Sequence, residues 1–307
     1  MSITEAISKY KPIIIVVLLF LLVFSLRAEA ANLSTVSDKA TYQDANGLPY
    51  FSEMDSYYNY RMTADYLDHG YMGDTKINGT NWDLHSYYPP GREVSYSPLI
   101  VYNTAFAYKF LNLFSETPLT AVAFWIGAFI ASLAVIPAYF FIRRITNDYG
   151  GITAALLAGL APAYFAHTFA GFFDTDQFNL VLPLFAVWFY VESIKSDNLK
   201  NRSIFAVLSA IFLVLFSLAW EGWIYIFYLI VIATIVYLLV SNYLLKWKTI
   251  KKPSEFKDKK DWFLNHPEIY VLIVFIVLSS ILIILTSGLS SFESSLLGPI
   301  GFTQLQS

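Results

Sequence analysis

The chain has 307 residues, of which 56% are hydrophobic, 18% aromatic and 14% charged, and its mean hydropathy is +0.52. This composition excludes a soluble domain of ordinary make-up and indicates a lipid environment, where apolar runs of roughly 17 to 25 residues cross the bilayer as helices. The net charge of −3 does not indicate nucleic acid as a partner, and the absence of cysteine excludes disulfides, thiolate metal sites and cysteine nucleophiles.

The first apolar run covers residues 12–26 and follows two lysines, Lys9 and Lys11. It ends at Arg27-Ala-Glu-Ala30, so it fits both a first spanning helix and a cleavable signal with an A-x-A site. We favour the retained helix. Both interpretations leave the basic N-terminus in the cytoplasm and place the following residues outside.

Residues 31–118 are polar, acidic and rich in turns, which predicts a long first external loop. Residues 57–67 and 98–114 within this loop are predicted to be helices lying at the membrane interface, because the second contains too many polar residues to span. If residues 98–114 lie flat, Arg143 and Arg144 are cytoplasmic, as the positive-inside rule requires.

The remaining apolar runs complete an all-α polytopic membrane protein of the cell membrane, with one transmembrane domain over residues 1–307. A second external loop is predicted at 170–178, a basic cytoplasmic loop at 246–267, and an external tail at 286–307. The seven predicted spans are residues 12–26, 119–142, 152–169, 178–194, 204–218, 224–240 and 269–285.

The second external loop contains Asp174-Thr175-Asp176, two carboxylates separated by one residue. Carboxylate oxygens are the ligands that Mg²⁺ and Mn²⁺ prefer, so this pair is a candidate metal site. The alternative is a helix N-cap, since Asp or Thr commonly precedes the first turn of a helix.

Three further motifs carry candidate site residues on the same predicted side. "EMDSYYNYR" holds Asp55 and Arg61, and its alternative is a capped loop helix. "YYPPGR" is a turn whose Arg92 could meet a phosphate, and His85 just before it is a candidate substrate contact. "AWEGW" offers Trp220 and Trp223 as a surface for sugar or lipid, or as an aromatic-belt hairpin.

The series "EMDSYYNYR", "YYPPGRE", "HTFAGFFDTDQFN" and "AWEGW" resembles the catalytic subunit of oligosaccharyltransferase, especially archaeal single-subunit forms, over residues 9–223. The resemblance implies a GT-C glycosyltransferase fold. It also implies transfer of an oligosaccharide from a polyprenyl (dolichyl) phosphate or diphosphate carrier to asparagine in Asn-x-Ser/Thr sequons of an acceptor polypeptide.

The resemblance also implies roles for the acidic residues. Asp55 matches the first acidic motif, a metal ligand and hydrogen-bond partner of the acceptor amide, and Asp174 and Asp176 match the second, around the same Mn²⁺ or Mg²⁺. The chemistry agrees, because an amide nitrogen is a poor nucleophile that must be bound and polarised, and a leaving phosphate is stabilised by a divalent ion.

The sequence departs from the family pattern at several positions. His167 stands where several relatives have arginine, and it is either a metal ligand, a proton-linked donor or a histidine satisfied within the helix bundle. A later acidic motif and a soluble C-terminal domain of the family are absent, which suggests a fragment or truncated product. The alternatives are another GT-C enzyme, such as a protein O-mannosyltransferase, and an ion-coupled transporter, which would place carboxylates near the membrane midplane.

Overall fold

The computed structural model describes residues 3–45, 47–94, 98–246, 250–251, 253–255, 257 and 259–301, and these are mostly helical. They form two compact units, residues 1–181 and 182–307. The helices in chain order are α1 (Ile3–Ala28), α2 (Met54–His69), α3 (Leu99–Leu111), α4 (Leu119–Ser132), α5 (Val135–Ile145), α6 (Asp148–Gly159), α7 (Pro162–Ala166), α8 (Phe178–Lys195), α9 (Leu199–Ala219), α10 (Trp223–Leu239), α11 (Lys259–Asn265), α12 (Pro267–Ser287) and α13 (Leu289–Gly301).

Six helical segments among the described residues are long and apolar enough to cross a membrane. They contain six of the seven predicted spans, and the protein is a multi-pass membrane protein. The six segments are Lys9–Asn32, Leu119–Ile145, Thr175–Lys195, Leu199–Ala219, Trp223–Leu244 and Pro267–Ser287.

The predicted span over residues 152–169 is wrong as one continuous helix. α6 ends at Gly159, and α7 begins again at Pro162 and covers only five residues. Proline lacks the N–H that would continue a helix, and it disfavours helical backbone in the residue before it, which explains the break. The 12 residues of α6 rise about 18 Å, against the roughly 30 Å of a hydrocarbon core.

The first loop contains both predicted helices, as α2 and α3, with bounds shifted by a few residues. It also contains an antiparallel sheet that we did not predict, formed by β1 (Thr75–Ile77), β2 (Thr80–Asp83) and β3 (Arg92–Glu93) in that order. Asn78 and Gly79 join β1 to β2 with positive φ values of 52° and 84°. Asn-Gly is the strongest short-range signal for such a hairpin.

α1 is an integral part of the first unit. Val16, Leu19 and Val23 are buried in a cluster with residues of α5 and α6. At its N-terminal end Lys11 forms an ion pair with Asp148 at 2.7 Å. Val16, Leu19, Val23 and Lys11 all precede the A-x-A site, and whether α1 is retained stays a prediction.

The second unit packs α9 against α12. Buried side chains cross-link it, since Ser209 donates to the carbonyl of Ala186 at 2.8 Å and Arg202 donates to that of Ser196 at 2.8 Å. The predicted basic loop at 246–267 contains α11, while its residues 247–249, 252, 256 and 258 lie outside the described residues. The predicted tail begins in the last turn of α12 and is helical through α13, up to Gly301.

Candidate active site

The polar face of α2 lies against residues 171–174, the segment that leads into the Asp-Thr-Asp motif. The Ser56 hydroxyl accepts a hydrogen bond from the Phe173 amide at 2.8 Å. The Asn59 side-chain amide donates to the Phe173 carbonyl at 2.9 Å and to Asp174 Oδ1 at 3.3 Å. Ser56 and Asn59 are three residues apart, hence on one helical face, and both are fully buried. α2, which carries Asp55, therefore fixes the position of the segment that leads into the Asp-Thr-Asp motif.

Gly171 makes the close approach of this segment feasible. Its amide donates to the Phe124 carbonyl at 2.9 Å, and its carbonyl accepts from the Ser52 amide at 3.0 Å. Its φ is +93°, and a Cβ here would lie 2.7 Å from the Phe124 ring. Only glycine meets both conditions without strain.

Asp174 fulfils the N-cap alternative. It precedes the 3-10 turn Thr175–Gln177, and its Oδ1 accepts from the Thr175 amide at 2.6 Å. Asp176 Oδ1 accepts from the Asn179 side-chain amide at 2.7 Å. Each carboxylate of the motif thus has Oδ1 held by a side-chain amide, because Asn59 does the same for Asp174.

The sequence analysis gave no role to Glu53, a fourth acid of this region. Its Oε1 accepts from the Ser56 hydroxyl at 3.0 Å. Burial raises the pKa of Glu53, the Ser56 hydrogen bond opposes this, and the negative charges of Asp174 and Asp55 raise the pKa further. We call Glu53, Asp55, Asp174 and Asp176 the acid-loop cluster. The E-x-D spacing before Asp55 was the signal that could have found Glu53.

His167 lies within electrostatic range of Asp176, as does Asp174. The His167 ring is exposed, and its Nδ1 lies 2.8 Å from the Ala163 carbonyl oxygen. Because a carbonyl only accepts, Nδ1 carries the proton, and Nε2 of the neutral ring keeps its lone pair for a metal or a donor.

A second group of acids lies in the first loop, and we call Arg61, Asp74, Asp83 and His85 the Arg61 cluster. Arg61 pairs with Asp74 at 3.2 Å and with the buried Asp83 at 2.9 Å. Burial would raise the pKa of Asp83, but hydrogen bonds from Ser86 and Arg61 outweigh it and lower that pKa to about 2. Asp83 also accepts from the His85 amide at 2.9 Å, which fixes the turn after β2.

Only the Arg61 cluster, among the described residues, brings three ligating groups within 4.8 Å of one another, namely Asp74, Asp83 and His85. The predicted set of Asp55, Asp174, Asp176 and His167 does not reach that spacing there. Both carboxylates of the first group already pair with the Arg61 guanidinium, however. Within the described ranges no lysine or arginine forms an ion pair with Asp55, Asp174 or Asp176.

The predicted substrate contacts are placed differently. Arg92 is exposed at β3, with its guanidinium 5.5 Å from the Tyr87 ring. Arg61 and His85 are engaged with Asp74, so their substrate contacts stay predictions. In the second unit Trp220 is 44% exposed, but Trp223 is only 3% exposed and packs on Phe292. Trp223 is a core residue, which corrects its predicted role as a binding surface.

Comparison with known proteins places these features in one family. The family described as "Oligosaccharyl transferase STT3, N-terminal" matches residues 18–306. A dolichyl-phosphooligosaccharide-protein glycotransferase of Methanococcus voltae is 32% identical over 96% of this chain, but the chain spans only 34% of that relative.

Two solved structures show the same fold. The archaeal oligosaccharyltransferase AglB of Archaeoglobus fulgidus, in complex with an inhibitory peptide and a dolichol-phosphate, superposes with a TM-score of 0.70 at 18% identity, over 98% of this chain and 34% of that one. The enzyme of the same organism with zinc and sulfate gives a TM-score of 0.60 at 16% identity, over 95% and 39%. The expected GT-C fold is confirmed. The chain belongs to the STT3 oligosaccharyl transferase family, and it matches the N-terminal part of that family.

Proposed function

We propose that this chain is the membrane catalytic part of an asparagine-linked oligosaccharyltransferase. It would transfer an oligosaccharide from a polyprenyl (dolichyl) phosphate or diphosphate carrier to the asparagine of an Asn-x-Ser/Thr sequon. The observation that carries the proposal is the hydrogen-bonded contact of Ser56 and Asn59 with Phe173 and Asp174, which brings the helix that carries Asp55 against the loop that carries Asp174. The name of the Methanococcus voltae relative and the dolichol-phosphate in the Archaeoglobus complex support it.

The transfer step breaks the bond between the anomeric carbon of the sugar and the phosphate oxygen, and the electron pair leaves with the phosphate. A bond forms between that carbon and the acceptor amide nitrogen, and the proton that the nitrogen gives up ends on the released phosphate. Asp55 is exposed in the first turn of α2, so its carboxylate can accept from the amide N–H and orient the nitrogen towards the sugar.

Asp174 and Asp176 would hold Mn²⁺ or Mg²⁺, with His167 as a further ligand. The donor set fits such an ion, because its carboxylate oxygens are hard ligands and no lysine or arginine pairs with them in the described chain. When bound, the ion would supply positive charge for the leaving phosphate. Arg92, which is exposed at β3, would add a second positive charge for the phosphate of the carrier, and Arg61 and His85 are further candidate contacts. Trp220, in the second unit, is a separate candidate contact for sugar or lipid.

We also propose that the site is external and the N-terminus cytoplasmic. Two basic side chains lie together at the N-terminal end of α1, since Lys11 and Arg143 both pair with Asp148. At the other end of α1 the Arg27 carbonyl accepts from the Ala170 amide at 3.1 Å, next to the acid loop. These ends are about 24 Å apart along the helix, so the acids lie near a membrane surface, unlike those of a transporter midplane. The positive-inside rule puts the basic end in the cytoplasm.

The test uses a chimera in which this chain replaces the matching portion of the Methanococcus voltae relative. Membranes containing it would receive a dolichyl-phosphate-linked oligosaccharide and an Asn-x-Thr peptide, and glycopeptide would be measured by mass spectrometry. We expect Asp174→Asn and Asp55→Asn each to lower the rate about 10²- to 10³-fold, as loss of one electrostatic contact to the transition state does. Asp68→Asn, an equal charge change on the exposed end of α2, should have no effect.

Removal of divalent ions with EDTA should stop transfer, and Mn²⁺ should restore it. A folded chimera that transfers nothing would contradict the proposed function. Transfer that persists in both site variants, or after removal of divalent ions, would contradict the assignment of the acids.

A further inference from the structure

The two carboxylates of the Asp-Thr-Asp motif are held by neutral amides that come from different elements. Asn59 on α2 donates to Asp174 Oδ1 at 3.3 Å, and Asn179 in the first turn of α8 donates to Asp176 Oδ1 at 2.7 Å. A lysine or arginine at either position would neutralise the carboxylate and compete with a divalent ion. An amide orients the carboxylate and leaves its charge in place.

The orientation of the Asn59 amide follows from its partners. Phe173 O and Asp174 Oδ1 are both acceptors, so the NH₂ group must face them. This leaves Asn59 Oδ1 buried with no hydrogen-bond partner among the described residues, and Asn179 Oδ1 is in the same state. A buried acceptor without a donor costs free energy. Hence each asparagine donates to a carboxylate of the motif while its own side-chain oxygen stays buried without a donor.

We propose that Asn59 is a positioning residue for the metal site, which holds Asp174 by Oδ1 so that Oδ2 is presented to the divalent ion. Asn179 does the same for Asp176. Residues that hydrogen-bond to metal ligands fix the orientation of those ligands, and their loss commonly weakens metal binding about 10- to 100-fold. This inference rests on the proposed function, because it requires an ion at Asp174 and Asp176.

The central variant is Asn59→Leu, which has a similar shape. It removes the hydrogen bond that Asn59 donates to Asp174, which destabilises the fold. It also removes the buried Asn59 oxygen that has no partner, which stabilises the fold, so the two effects on the free energy of unfolding oppose each other. The matched control is Ser56→Ala. It removes the hydrogen bond of Ser56 with Phe173, at 2.8 Å, and the one with Glu53, at 3.0 Å, but leaves the Asn59–Asp174 hydrogen bond in place.

Binding is measured on the chain itself, as the disappearance of the free Mn²⁺ signal in electron paramagnetic resonance, together with the melting temperature without metal. We expect Asn59→Leu to raise the Kd for Mn²⁺ about 10- to 100-fold. Ser56→Ala should keep the Kd within about threefold of the unsubstituted chain, even where its melting temperature falls further. In the chimera, Asn59→Leu should raise the Mn²⁺ concentration for half-maximal transfer, while transfer at saturating Mn²⁺ stays near the unsubstituted rate.

The outcomes separate the two proposals. If the unsubstituted chain binds no Mn²⁺, or binds it equally after Asp174→Asn, the metal site of the proposed function is wrong. If Asp174→Asn abolishes binding but Asn59→Leu leaves the Kd unchanged, only the role of Asn59 is wrong. If Asn59→Leu and Ser56→Ala raise the Kd equally and in proportion to lost melting temperature, the residue is structural and the inference is overturned.

Discussion

The first unit contains two groups of carboxylates that differ in what surrounds them. In the Arg61 cluster, Asp74 and Asp83 share a guanidinium at 3.2 and 2.9 Å. In the acid-loop cluster, the partners of Asp174 and Asp176 are a backbone amide and two asparagine side chains, all neutral. The carboxylates of the Arg61 cluster have a cationic partner, whereas no lysine or arginine among the described residues pairs with those of the acid-loop cluster.

This difference shows that closely spaced ligand atoms do not by themselves identify a metal site. The Arg61 cluster has the compact spacing of 4.8 Å, yet a divalent ion there would have to displace or repel Arg61. The acid-loop cluster is less compact, but no lysine or arginine among the described residues pairs with its aspartates, so a bound cation would relieve their repulsion. The pairing of Arg61 with both aspartates agrees with the proposed metal site at the acid-loop cluster and with the Arg61 cluster as a support of the first loop.

The largest effect that separates the clusters is expected from Asp83→Asn. It leaves the Arg61 guanidinium partly buried with one partner fewer, and breaking a buried ion pair commonly costs about 3 to 5 kcal/mol. We expect the first loop to lose protection from protease by an amount of that order, while the Kd of the chain for Mn²⁺ changes little. Asp68→Asn is the control.

The opposite pattern would reverse the assignment of the clusters. If Asp83→Asn abolished Mn²⁺ binding and Asp174→Asn left it unchanged, the ion would belong to the Arg61 cluster.

The second prediction concerns pH, because the two clusters respond to acid with opposite signs. The folded-state pKa of Asp83 is about 2, and the pKa of Asp74 is also lowered, where hydrogen bonds from Leu84 and His85 and the charge of Arg61 outweigh burial. An unfolded aspartate titrates near about 4. Their stabilisation is therefore complete above that pH and is lost as the pH falls towards 2. Glu53 has a raised pKa, mainly through burial, so its ionisation destabilises the fold as the pH rises above about 4.3.

Hydrogen exchange, corrected for the intrinsic effect of pH, can follow both regions separately. On acidification from neutral pH, amides around Ser56 and Phe173 should first gain protection, and amides of β2 should later lose it. Glu53→Gln should remove the gain, and Asp83→Asn should remove the loss. Protection that falls in both regions together would contradict the opposite signs.

Much of the frame could be predicted from the sequence because the signals are local. Six spans follow from hydropathy, and α2 and α3 follow from polar and apolar spacing within the first loop. The break at Pro162 also had a local signal, which the length of the apolar run outweighed. The hairpin at Asn78-Gly79 had one too, but only helices were predicted within the first loop. The acidic motifs were found because each is a contiguous stretch whose residue types and order can be read directly from the sequence.

The partners of those acids could not be predicted, because they are distant in sequence. Asn59 is 115 residues from Asp174, and Arg61 is 22 residues from Asp83. Nothing in "NYR" distinguishes an asparagine that holds a carboxylate from one that faces solvent. Trp223 was assigned to a surface because it sits beside a turn, yet its ring is buried in the second unit. Charge balance becomes visible only when tertiary contacts are known.

The smallest effect on stability is expected at Arg27. This cation forms no ion pair with a carboxylate among the described residues, whereas the acid-loop cluster has carboxylates without a cation. Its side chain is fully buried, and Nε donates to the Thr168 hydroxyl at 3.2 Å, while Nη1 and Nη2 have no partner among the described residues. The guanidinium lies 5.0 Å from the Phe165 ring centroid. Replacing a buried charge by an apolar residue of similar volume is often neutral or stabilising.

We therefore expect Arg27→Met to change the free energy of unfolding by less than about 1 kcal/mol, the net value of a typical hydrogen bond. Its carbonyl still accepts from the Ala170 amide, so the acid loop keeps its backbone anchor and the Kd for Mn²⁺ should not change. Thermal unfolding and Mn²⁺ titration of the variant check this, with Thr168→Val as the control that removes the same hydrogen bond from the other side. A large loss of Mn²⁺ affinity in Arg27→Met alone would mean that the buried charge, and not only the neutral donors, sets the field at Asp174 and Asp176.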